Sequence, residues 1–466
     1  MRFDDNFIKK TLQDVSILYG SVPQDPRFVI DSRLVKKGDI FIAIPGKFHD
    51  GHEFIVDAFN NGAAGVLIQD GSESFLKKID NSFLKTRFIV VVRNTLDALI
   101  ALAKAWRDFF AIPIVAITGS VGKTSTKEMV AHIFDMHGMH YLASQGNQNT
   151  QIGVALNILR LRPEHEIGVF EVGIGNRGEM AKIAALLRPT MAVITAIGHS
   201  HMEGLGSVND IALEKRAIFS AFTERNIGII NGDQSILSNV SYPHPIVKCG
   251  SKMSNQIQAR KVRVAGTHIS FVLKIYGKKY PIILNRVHAG FVMNALSATA
   301  VAYLCNVSDE VIVRAIESPL VVAGRFQEKK LKGNKGILID DCYNANPESM
   351  KAALLAFQQI ETQSDKIAVL GDMLELGVNS PFWHRQLGRF LRKVPSLKHV
   401  ILVGSMVEWT RKTVPMGIHV ELVPSWNEAI AKLHDSLKGY TSSVVLVKGS
   451  RNTGLGNLVK QFELEQ

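Results

Sequence analysis

The stretch from Ile112 to Met129, IPIVAITGSVGKTSTKEM, constrains the fold more than any other part of the sequence. Its apolar, β-branched start predicts a buried strand, a turn containing Gly119 and Gly122 follows, and the residues from Lys123 onward have helical spacing. The pattern T-G-x-x-G-K-T is shorter than the usual G-x-x-x-x-G-K-[ST], because Ile117 stands where the first glycine is expected. A strand, a glycine turn and a helix in this order still predict a phosphate-binding loop.

The residues of this loop have separate roles at a nucleotide phosphate. The two glycines allow backbone N–H groups to turn inward, and the N-terminal end of the following helix adds positive partial charge. Lys123 can reach the terminal phosphates, and the Thr124 hydroxyl can hold Mg²⁺. The alternative is a Gly-Lys-Thr turn that binds nothing, and the strand-loop-helix context disfavours it.

Length and composition indicate a large globular protein of roughly three domains. The chain has 466 residues, and no apolar run approaches the roughly 20 residues that span a bilayer, so we expect no stable membrane insertion. The N-terminus lacks a signal-peptide core. Three widely spaced cysteines, Cys249, Cys305 and Cys342, argue against a disulfide framework or a zinc site built from cysteines. We therefore expect a cytoplasmic protein.

The chain carries more basic than acidic residues. Lys and Arg number 54 and Asp and Glu 42, which suits an anionic partner such as a nucleotide, a nucleotide sugar or a nucleic acid. No basic run of five or more residues occurs, and aromatic residues do not alternate with basic ones. We therefore expect no nucleic-acid partner.

Strand and helix patterns alternate along three blocks, which predicts an α/β fold with three domains. Residues 1–108 are expected to form a small N-terminal α/β domain, 109–321 a central P-loop ATPase domain with a parallel sheet, and 322–466 a C-terminal Rossmann-like domain. The last block lacks a G-x-G-x-x-G fingerprint, so a dinucleotide is not implied. Ligands of parallel sheets bind at the carboxyl ends of the strands. Four residues near such ends are therefore candidates, namely Thr124, Glu171, His201 and Lys215.

Two loops of the first block also contain polar residues near strand ends. Asp31, Ser32 and Arg33 follow a short strand, where backbone and hydroxyl groups can grip a ligand, and a second loop contains Asp50 and His52. Such loops taken alone are usually only connections between elements, so these residues could either bind a ligand or simply connect the strands to the helices.

These motifs together resemble those of the Mur ligases, the ATP-dependent amide-forming enzymes of peptidoglycan precursor synthesis. The similar segments are DSRLVKKGDIFIAIPG and DGHEF in the first block, TGSVGKTSTKE, GNQNTQIG, EVGIGNRGE and HMEGLGS in the second, and GRFQE, DDCYNANPES, LGDMLELG and KGSR in the third. DDCYNANP is the discriminating segment. It is similar to the D-D-x-Y-N-A-N-P of the family member that adds D-alanyl-D-alanine, whereas the member that adds the third amino acid carries D-Y-A-H-T-P.

The resemblance implies a ligase that joins D-alanyl-D-alanine to UDP-N-acetylmuramoyl-tripeptide through an acyl phosphate, with ATP and Mg²⁺ as cofactors. Such an enzyme serves cell wall synthesis and, through it, cell shape and division, and we expect a monomer. Another amino-acid-adding Mur ligase or a folylpolyglutamate synthetase-like enzyme would share the phosphate loop and the metal set, although the folate family lacks the DSR…DGH module. A nucleotide-dependent switch protein would have no reason for Lys215 or for DDCYNANP.

Carried over position by position, the resemblance implies three groups of site residues. The ATP group is Gly119, Ser120, Gly122, Lys123, Thr124, Ser125, Asn294, Arg325 and Asp341. The substrate group is Ser32, Arg33, Asn147, Asn149, Thr150, Tyr343, Asn344 and Asn346. The Mg²⁺ group is Thr124, Glu171, His201 and Lys215. The resemblance places Lys215 where the family has a carbamylated lysine, and it implies catalytic roles for Lys123, Lys215 and His201. The chain departs from the family pattern at Gly290–Phe291, where His-Asn is usual, and at Leu455–Gly456, where Met-Glu is usual.

Overall fold

The computed structural model describes residues 3–266, 268–285, 288–331, 336–360, 364–440 and 442–464. These residues form two compact units. Unit 1 contains residues 3–114, 140–172 and 181–189, and unit 2 contains residues 115–139, 173–180 and the described residues from 190 onward. Within the described ranges, no helix is both long and apolar enough to cross a bilayer.

Strands and helices alternate along the described chain. The strands are β1 (Ser16–Tyr19), β2 (Phe28–Val29), β3 (Ile40–Ile42), β4 (Gly65–Gln69), β5 (Phe88–Val92), β6 (Ile114–Thr118), β7 (Tyr141–Ala143), β8 (Ile167–Glu171), β9 (Met191–Ile194), β10 (Ile227–Asn231), β11 (Ile246–Gly250), β12 (Ile257–Ala265), β13 (His268–Ile275), β14 (Lys278–Leu284), β15 (Gln327–Lys330), β16 (Gly336–Asp340), β17 (Asp365–Gly371), β18 (Leu397–Val403), β19 (His419–Val423) and β20 (Ser443–Lys448). The helices are α1 (Asp5–Thr11), α2 (Ile55–Asn60), α3 (Asn81–Leu84), α4 (Thr95–Arg107), α5 (Lys123–His137), α6 (Gln151–Ile158), α7 (Glu179–Leu187), α8 (Met202–Leu205), α9 (Val208–Arg216), α10 (Ser235–Ser238), α11 (Gly290–Leu304), α12 (Asp309–Glu317), α13 (Pro347–Gln359), α14 (Ser380–Phe390), α15 (Glu408–Arg411), α16 (Trp426–Lys438) and α17 (Leu455–Leu464).

Unit 1 is built on a sheet with the strand order β1-β5-β4-β3-β2. Strand β1 pairs antiparallel with β5, and the other neighbours pair in parallel. The fully buried sequence FIVVV of β5 is typical of a parallel strand that is covered on both faces. Helix α4 begins after Asn94, whose side chain accepts hydrogen bonds from the N–H groups of Leu96 and Asp97. Later in the chain, β7 pairs in parallel with β8, which ends at Glu171.

Unit 2 contains two groups of paired strands. In the first, β6, β9, β10, β11 and β12 run parallel, and β13 and β14 continue from β12 as an antiparallel meander. The second is a six-stranded sheet with the order β15-β16-β20-β17-β18-β19, in which only β15 runs antiparallel. Its core is apolar and includes Ile367, Val369, Ile401 and Val445. Parallel strands joined by helices make this sheet Rossmann-like.

The predicted α/β class is confirmed, and the differences from the sequence pattern are local. Strands β15 and β19 are not indicated by the sequence, because QEKK is mostly charged and HVELV is a partly exposed edge strand. The sequence after the Asp50 loop predicts a helix over 53–61. The chain there starts instead as a 3₁₀ turn, Gly51–Phe54, since the Asp50 side chain accepts from the His52 N–H, and it becomes α-helical only at Ile55. The domain boundaries at 108 and 321 stay predictions.

Candidate active site

The phosphate-binding loop predicted from the sequence connects β6 to α5 in unit 2. Gly119 has φ +151° and Gly122 has φ +86°, conformations that L side chains rarely adopt. A Cβ atom on Gly119 would lie 2.0 Å from Thr195 Oγ1, and one on Gly122 would lie 2.6 Å from Asn294 Oδ1. Both positions therefore require glycine, and the loop forms a tight cradle at a helix N-terminus, where anions bind.

Polar contacts hold this loop in one shape. The Ser120 N–H donates to the carbonyl oxygen of Ala196 at 2.7 Å, and the Ser120 hydroxyl exchanges hydrogen bonds with the main chain of Gly198 at 2.9 and 3.1 Å. Lys123 Nζ donates to the carbonyl oxygen of Gly119 at 2.8 Å, so the ammonium group lies over the loop. Ser125 is buried in the first turn of α5. Ser120 therefore anchors the loop, and Lys123 places a cation against it.

Asn294 approaches the loop from α11. It is buried, and its Oδ1 accepts a hydrogen bond from Thr126 Oγ1 at 3.3 Å. Gly290, one of the departures from the family pattern, begins α11, and its N–H donates to His288 Nδ1 at 3.1 Å. The departure therefore lies at a helix start on the same helix as Asn294.

Arg325 joins a predicted ATP residue to a predicted substrate residue. Its Nη2 donates to Thr124 Oγ1 at 3.2 Å, and its guanidinium carbon lies 4.1 Å from the centre of the Tyr343 ring. Stacking on the ring orients the planar guanidinium while leaving its other donors directed away from the ring. Arg325 is thus brought to the first turn of α5 from 201 positions along the chain, with Tyr343 packed beside it.

The DDCYNANP segment lies on the phosphate loop. Asn346 caps α13 by accepting from the Ser349 N–H at 2.8 Å, and its Nδ2 donates to the carbonyl oxygen of Ser120 at 3.4 Å. The Asn344 side chain is exposed, while its carbonyl oxygen accepts from Lys448 Nζ at 3.1 Å. The main chain of this segment is therefore held firmly, and the Asn344 amide remains accessible to a ligand.

A buried ion pair fixes the start of the same segment. Lys448 Nζ lies 2.8 Å from Asp341 Oδ2, both side chains are at most 9% exposed, and the other Asp341 oxygen accepts from the Phe326 N–H at 3.2 Å. Each charge is compensated, as burial demands. Lys448 was not among the residues predicted for this site, although the KGSR motif contains it.

His201 is paired with an acidic residue that the sequence reasoning also missed. His201 Nδ1 lies 2.5 Å from Glu375 Oε2, and the Glu203 N–H donates to the Glu375 carbonyl oxygen at 3.1 Å. Both His201 (φ +58°) and Glu375 (φ +62°) adopt left-handed backbone conformations. The hydrogen bond from His201, with help from the charge of Lys123, lowers the pKa of Glu375 against the opposing effect of burial. The LGDMLELG segment was the only signal for this glutamate.

A second histidine of the same loop makes a similar contact. His199 Nδ1 lies 2.5 Å from Glu348 Oε1, and the His199 ring lies 4.3 Å from the Trp383 ring. Glu348 belongs to the first turn of α13, directly after Asn346 and Pro347. The GHSHMEG loop is therefore connected to DDCYNANPES by His199 and to LGDMLELG by His201.

Lys215 is buried completely in α9. Its Nζ has no hydrogen-bond partner among the described residues. Burial, together with the positive charge of Lys123, lowers the pKa of Lys215 far below its ordinary value, and Glu214 offsets this only in part. A buried amine without a partner is costly as a cation, so a structural role alone does not explain this side chain.

In unit 1, two of the predicted residues are in direct contact. Asn149 Nδ2 donates to Glu171 Oε1 at 2.8 Å, and the Glu171 N–H donates to Ser144 Oγ at 2.9 Å. Glu171 is 1% exposed, and its Oε2 has no hydrogen-bond partner within the described ranges. Thr150 accepts from the Gly153 N–H at 3.4 Å and so begins α6. A buried carboxylate oxygen without a donor is suited to a cation.

The first-block loops of unit 1 have a different character. The exposed Arg33 pairs with Asp31, whose pKa is lowered chiefly by that hydrogen bond, and the carbonyl oxygen of the buried Ser32 accepts from Asn61 Nδ2 at 2.9 Å. His52 bridges Asp50 and the Gln69 N–H at 2.6 and 2.9 Å, which is a structural role. In the part of the chain that the structure describes, no hydrogen bond or ion pair joins Ser32 or Arg33 to Asn147, Asn149 or Thr150.

Three family models match the chain in succession. They are the "Mur ligase family, catalytic domain" at residues 28–107, the "Mur ligase middle domain" at 117–302 and the "Mur ligase, glutamate ligase domain" at 324–451. With the α/β fold and the phosphate loop, these matches define the class of protein, which is an ATP-dependent, amide-bond-forming ligase.

Individual relatives extend this result over the whole chain. The UDP-N-acetylmuramoyl-tripeptide--D-alanyl-D-alanine ligase of Treponema pallidum is 34% identical, with 92% of each chain covered. The crystal structure of MurF from Acinetobacter baumannii has a TM-score of 0.84, 26% identity and 99% coverage of both chains. MurF ligase from Thermotoga maritima in complex with ADP has a TM-score of 0.78 and 26% identity, covering 95% of this chain and 98% of that one. The chain belongs to the Mur ligase family.

Proposed function

We propose that this chain joins D-alanyl-D-alanine to UDP-N-acetylmuramoyl-tripeptide with ATP, giving the UDP-muramoyl-pentapeptide of peptidoglycan synthesis. The relatives that carry this name cover almost the whole chain and favour it over the other amino-acid-adding Mur ligases and the folate enzymes. The observation that carries the proposal is the contact between Asn346 and Ser120 at 3.4 Å. It holds the segment that distinguishes this ligase within the family against the loop that binds phosphate.

The reaction needs an activated carboxyl group, because a carboxylate is a poor acyl donor. The carboxylate of the tripeptide attacks the γ-phosphorus of ATP, the bond to ADP breaks, and an acyl phosphate forms. The amine of D-alanyl-D-alanine then attacks the acyl carbon, the tetrahedral intermediate collapses with loss of phosphate, and the ammonium protons pass to a base or water. Two negative species meet in the first step, so catalysis consists mainly of positioning and charge neutralisation.

The residues of unit 2 support these tasks. Lys123 lies over the glycine cradle and is positioned to neutralise the γ-phosphate. Arg325, which is oriented by the Tyr343 ring, adds planar donors beside Thr124. The exposed Asn344 amide, with its main chain fixed by Lys448, is suited to the peptide groups of the incoming dipeptide. We further propose ATP contacts for Asn294 and Asp341 and contacts to the sugar nucleotide for the unit 1 residues Ser32, Arg33, Asn147, Asn149 and Thr150.

The family resemblance implies a magnesium ion, and the oxygen and imidazole donors that it names are types that this ion accepts. Both Glu171 Oε2 in unit 1 and Lys215 Nζ in unit 2 are buried without a hydrogen-bond partner among the described residues. Thr124 and His201 complete the proposed set, with Lys215 acting as its carbamate. When bound, Mg²⁺ would neutralise charge on the phosphates and on the substrate carboxylate. Within this set, Asn149 orients Glu171, and Glu375 orients the His201 ring. We also propose that the enzyme acts as a monomer in the cytoplasm.

One assay tests the proposal. Phosphate release from ATP is measured with UDP-N-acetylmuramoyl-tripeptide and D-alanyl-D-alanine supplied singly and together, and product mass is recorded. We expect sustained release and a pentapeptide product only with both substrates present. Parallel reactions replace the dipeptide with diaminopimelate, lysine or glutamate, and the tripeptide with UDP-muramoyl-dipeptide or a folate. Sustained turnover with one of these pairs, and none with the proposed pair, would refute the proposed substrate.

A further inference from the structure

Three potential metal ligands lie together on the C-terminal sheet. They are His399 on β18 and His419 and Glu421 on the edge strand β19. His399 is in direct register with His419 across the parallel pair, and Glu421 follows His419 by two positions. Residues two apart on a strand share a face, so all three side chains are on one face of the sheet. Their donor atoms all lie within 4.8 Å of one another.

These ligands lie apart from the ligase residues of the same sheet. His419 is the first residue of β19, and His399 is the third of the seven residues in β18. Both positions are near the amino ends of their strands. Asp341, by contrast, comes directly after β16, and Lys448 is the last residue of β20, so both lie at the carboxyl ends where ligands of such sheets bind. The cluster is therefore not explained by the ligase reaction.

The two histidines differ in burial, and the exposure of the glutamate is intermediate. The His399 side chain is only 6% exposed, the Glu421 side chain 19% and the His419 side chain 70%. His399 Nε2 lies 3.0 Å from Glu421 Oε1, yet it lacks a hydrogen bond of proper geometry to any described residue. His419 Nε2 lies 3.9 Å from the same oxygen. A buried imidazole nitrogen, a carboxylate oxygen and a second imidazole nitrogen thus lie within reach of one another.

We propose that His399, His419 and Glu421 bind a divalent transition metal ion of the Zn²⁺ type. Two imidazoles and one carboxylate are a common Zn²⁺ donor set, with a fourth position left to water. Bonds of roughly 2.0–2.1 Å in a tetrahedron separate neighbouring donor atoms by about 3.3 Å. The distances of 3.0 and 3.9 Å from the Glu421 oxygen bracket that value, and the two histidine nitrogens lie within 4.8 Å of each other, so side-chain rotations would have to bring them closer. The ion would tie the edge strand to β18.

Lys432 orients the Glu421 carboxylate toward the proposed metal site. Its Nζ lies 2.8 Å from Glu421 Oε2, the oxygen that does not face the histidines, and the lysine side chain is 49% exposed. The ion pair holds the carboxylate so that Oε1 points to both imidazoles. The lysine charge also opposes a nearby cation, although a half-exposed side chain can turn toward solvent. If the cluster binds a metal ion, removing the Lys432 side chain should leave the affinity for the ion unchanged or raise it. If the cluster is only a network of ion pairs, the same change should weaken the contacts within it.

The test is calorimetric titration of the chelator-treated full chain with Zn²⁺, without nucleotide or Mg²⁺. We expect about one tight equivalent, and Co²⁺ should give the visible absorption of a tetrahedral site. His419→Ala should weaken binding at least about tenfold, and because this ring is exposed the fold should persist. Lys432→Ala should bind as tightly as the parent or more tightly. The control His137→Ala removes an exposed histidine at the end of α5 and should change nothing.

His201→Ala separates this site from the ligase centre, because it should retain the tight equivalent. Absence of binding by the parent would overturn the proposal, as would unchanged binding by folded His419→Ala. Loss of the equivalent in His201→Ala alone would assign the metal to the ligase centre instead. None of these readouts depends on ligase activity, so failure of the proposed reaction leaves the test intact.

Discussion

Arg325 donates from Nη2 to the hydroxyl of Thr124 at 3.2 Å while its guanidinium stacks on the Tyr343 ring at 4.1 Å. This links the phosphate loop to the start of the DDCYNANP segment through one side chain. Lysine keeps the charge but loses the planar stack and the fork of donors. Arg325→Lys should therefore raise KM for ATP by about tenfold or more, and Arg314→Lys, an exposed arginine on α12, should not. An unchanged KM for ATP in Arg325→Lys would contradict this role.

Lys123 is the next position to test. Its Nζ lies over the glycine cradle, and we expect it to neutralise phosphate charge rather than to support the core. Lys123→Ala should lower kcat by at least about a hundredfold with a native circular dichroism spectrum. Lys182→Ala removes an exposed lysine on α7 and serves as the control. Near-normal ligation by folded Lys123→Ala would exclude the proposed ATP role.

Substitution of Asn344 tests the proposal that its side chain contacts D-alanyl-D-alanine. Its side chain is exposed, its Oδ1 accepts a hydrogen bond from the Ala345 N–H at 2.9 Å, and its main chain is held by Lys448. We expect truncation to remove a substrate contact while Lys448 keeps the segment in place. Asn344→Ala should raise KM for D-alanyl-D-alanine by about tenfold or more, with a much smaller change for ATP. Asn239→Ala, at an exposed asparagine after α10, provides the comparison. Equal increases for both substrates would rule out this division of roles.

Substitution of Lys215 tests the proposal that this lysine acts as a carbamate. A neutral amine can attack CO₂, forming an N–C bond and releasing a proton, and the product replaces an ammonium by an anionic oxygen ligand. Lys215→Ala should be nearly inactive and should recover part of its activity with acetate or formate, which can occupy the vacated position. The same carboxylates should not rescue Lys123→Ala. An active Lys215→Ala enzyme, or equal rescue of both variants, would refute the carbamate.

Asp309 tests an electrostatic contribution to stability away from the site. Burial alone would raise the pKa of Asp309, but hydrogen bonds from Lys278 at 2.6 Å and Tyr280 at 2.7 Å outweigh it and lower the pKa below its ordinary 3.8. A lowered carboxyl pKa stabilises the fold above the ordinary value, and the contribution is lost as the pH falls through the lowered value. Asp309→Ala should lower the thermal midpoint at pH 7 by a few degrees.

The difference in thermal midpoint between Asp309→Ala and the parent should disappear as the pH falls from 5 toward 2, because the Asp309 carboxylate of the parent is then protonated. Asp435→Ala, at an exposed carboxylate that pairs with Lys438, should be near neutral at every pH. Thermal scans at several pH values give both results. A difference between Asp309→Ala and the parent that does not depend on pH would mean that packing, not charge, explains it.

The sequence by itself determined the local structure of this protein. The phosphate loop could be read because its requirements are local: a β-branched strand, two glycines at positive φ and a helix start follow one another within a few residues. The α/β class followed from periodicity, as for β10, where the apolar segment IGIIN predicts a strand over 227–231 and the structure has one at Ile227–Asn231. Family resemblance added candidate residues, although it did not say which of them touch.

Only the tertiary structure decided the pairings around these residues. His199 meets Glu348 across 149 positions, and Asp341 meets Lys448 across 107. Such contacts depend on strand order and on the course of the loops between strands, and neither leaves a periodic signal in the sequence. In the sequence, Glu375 and His201 look like ordinary loop residues. Their left-handed backbone conformations and their ion pair are evident only in the structure, where the two loops lie together. Likewise, His399 and His419 become neighbours only because β18 and β19 pair in register.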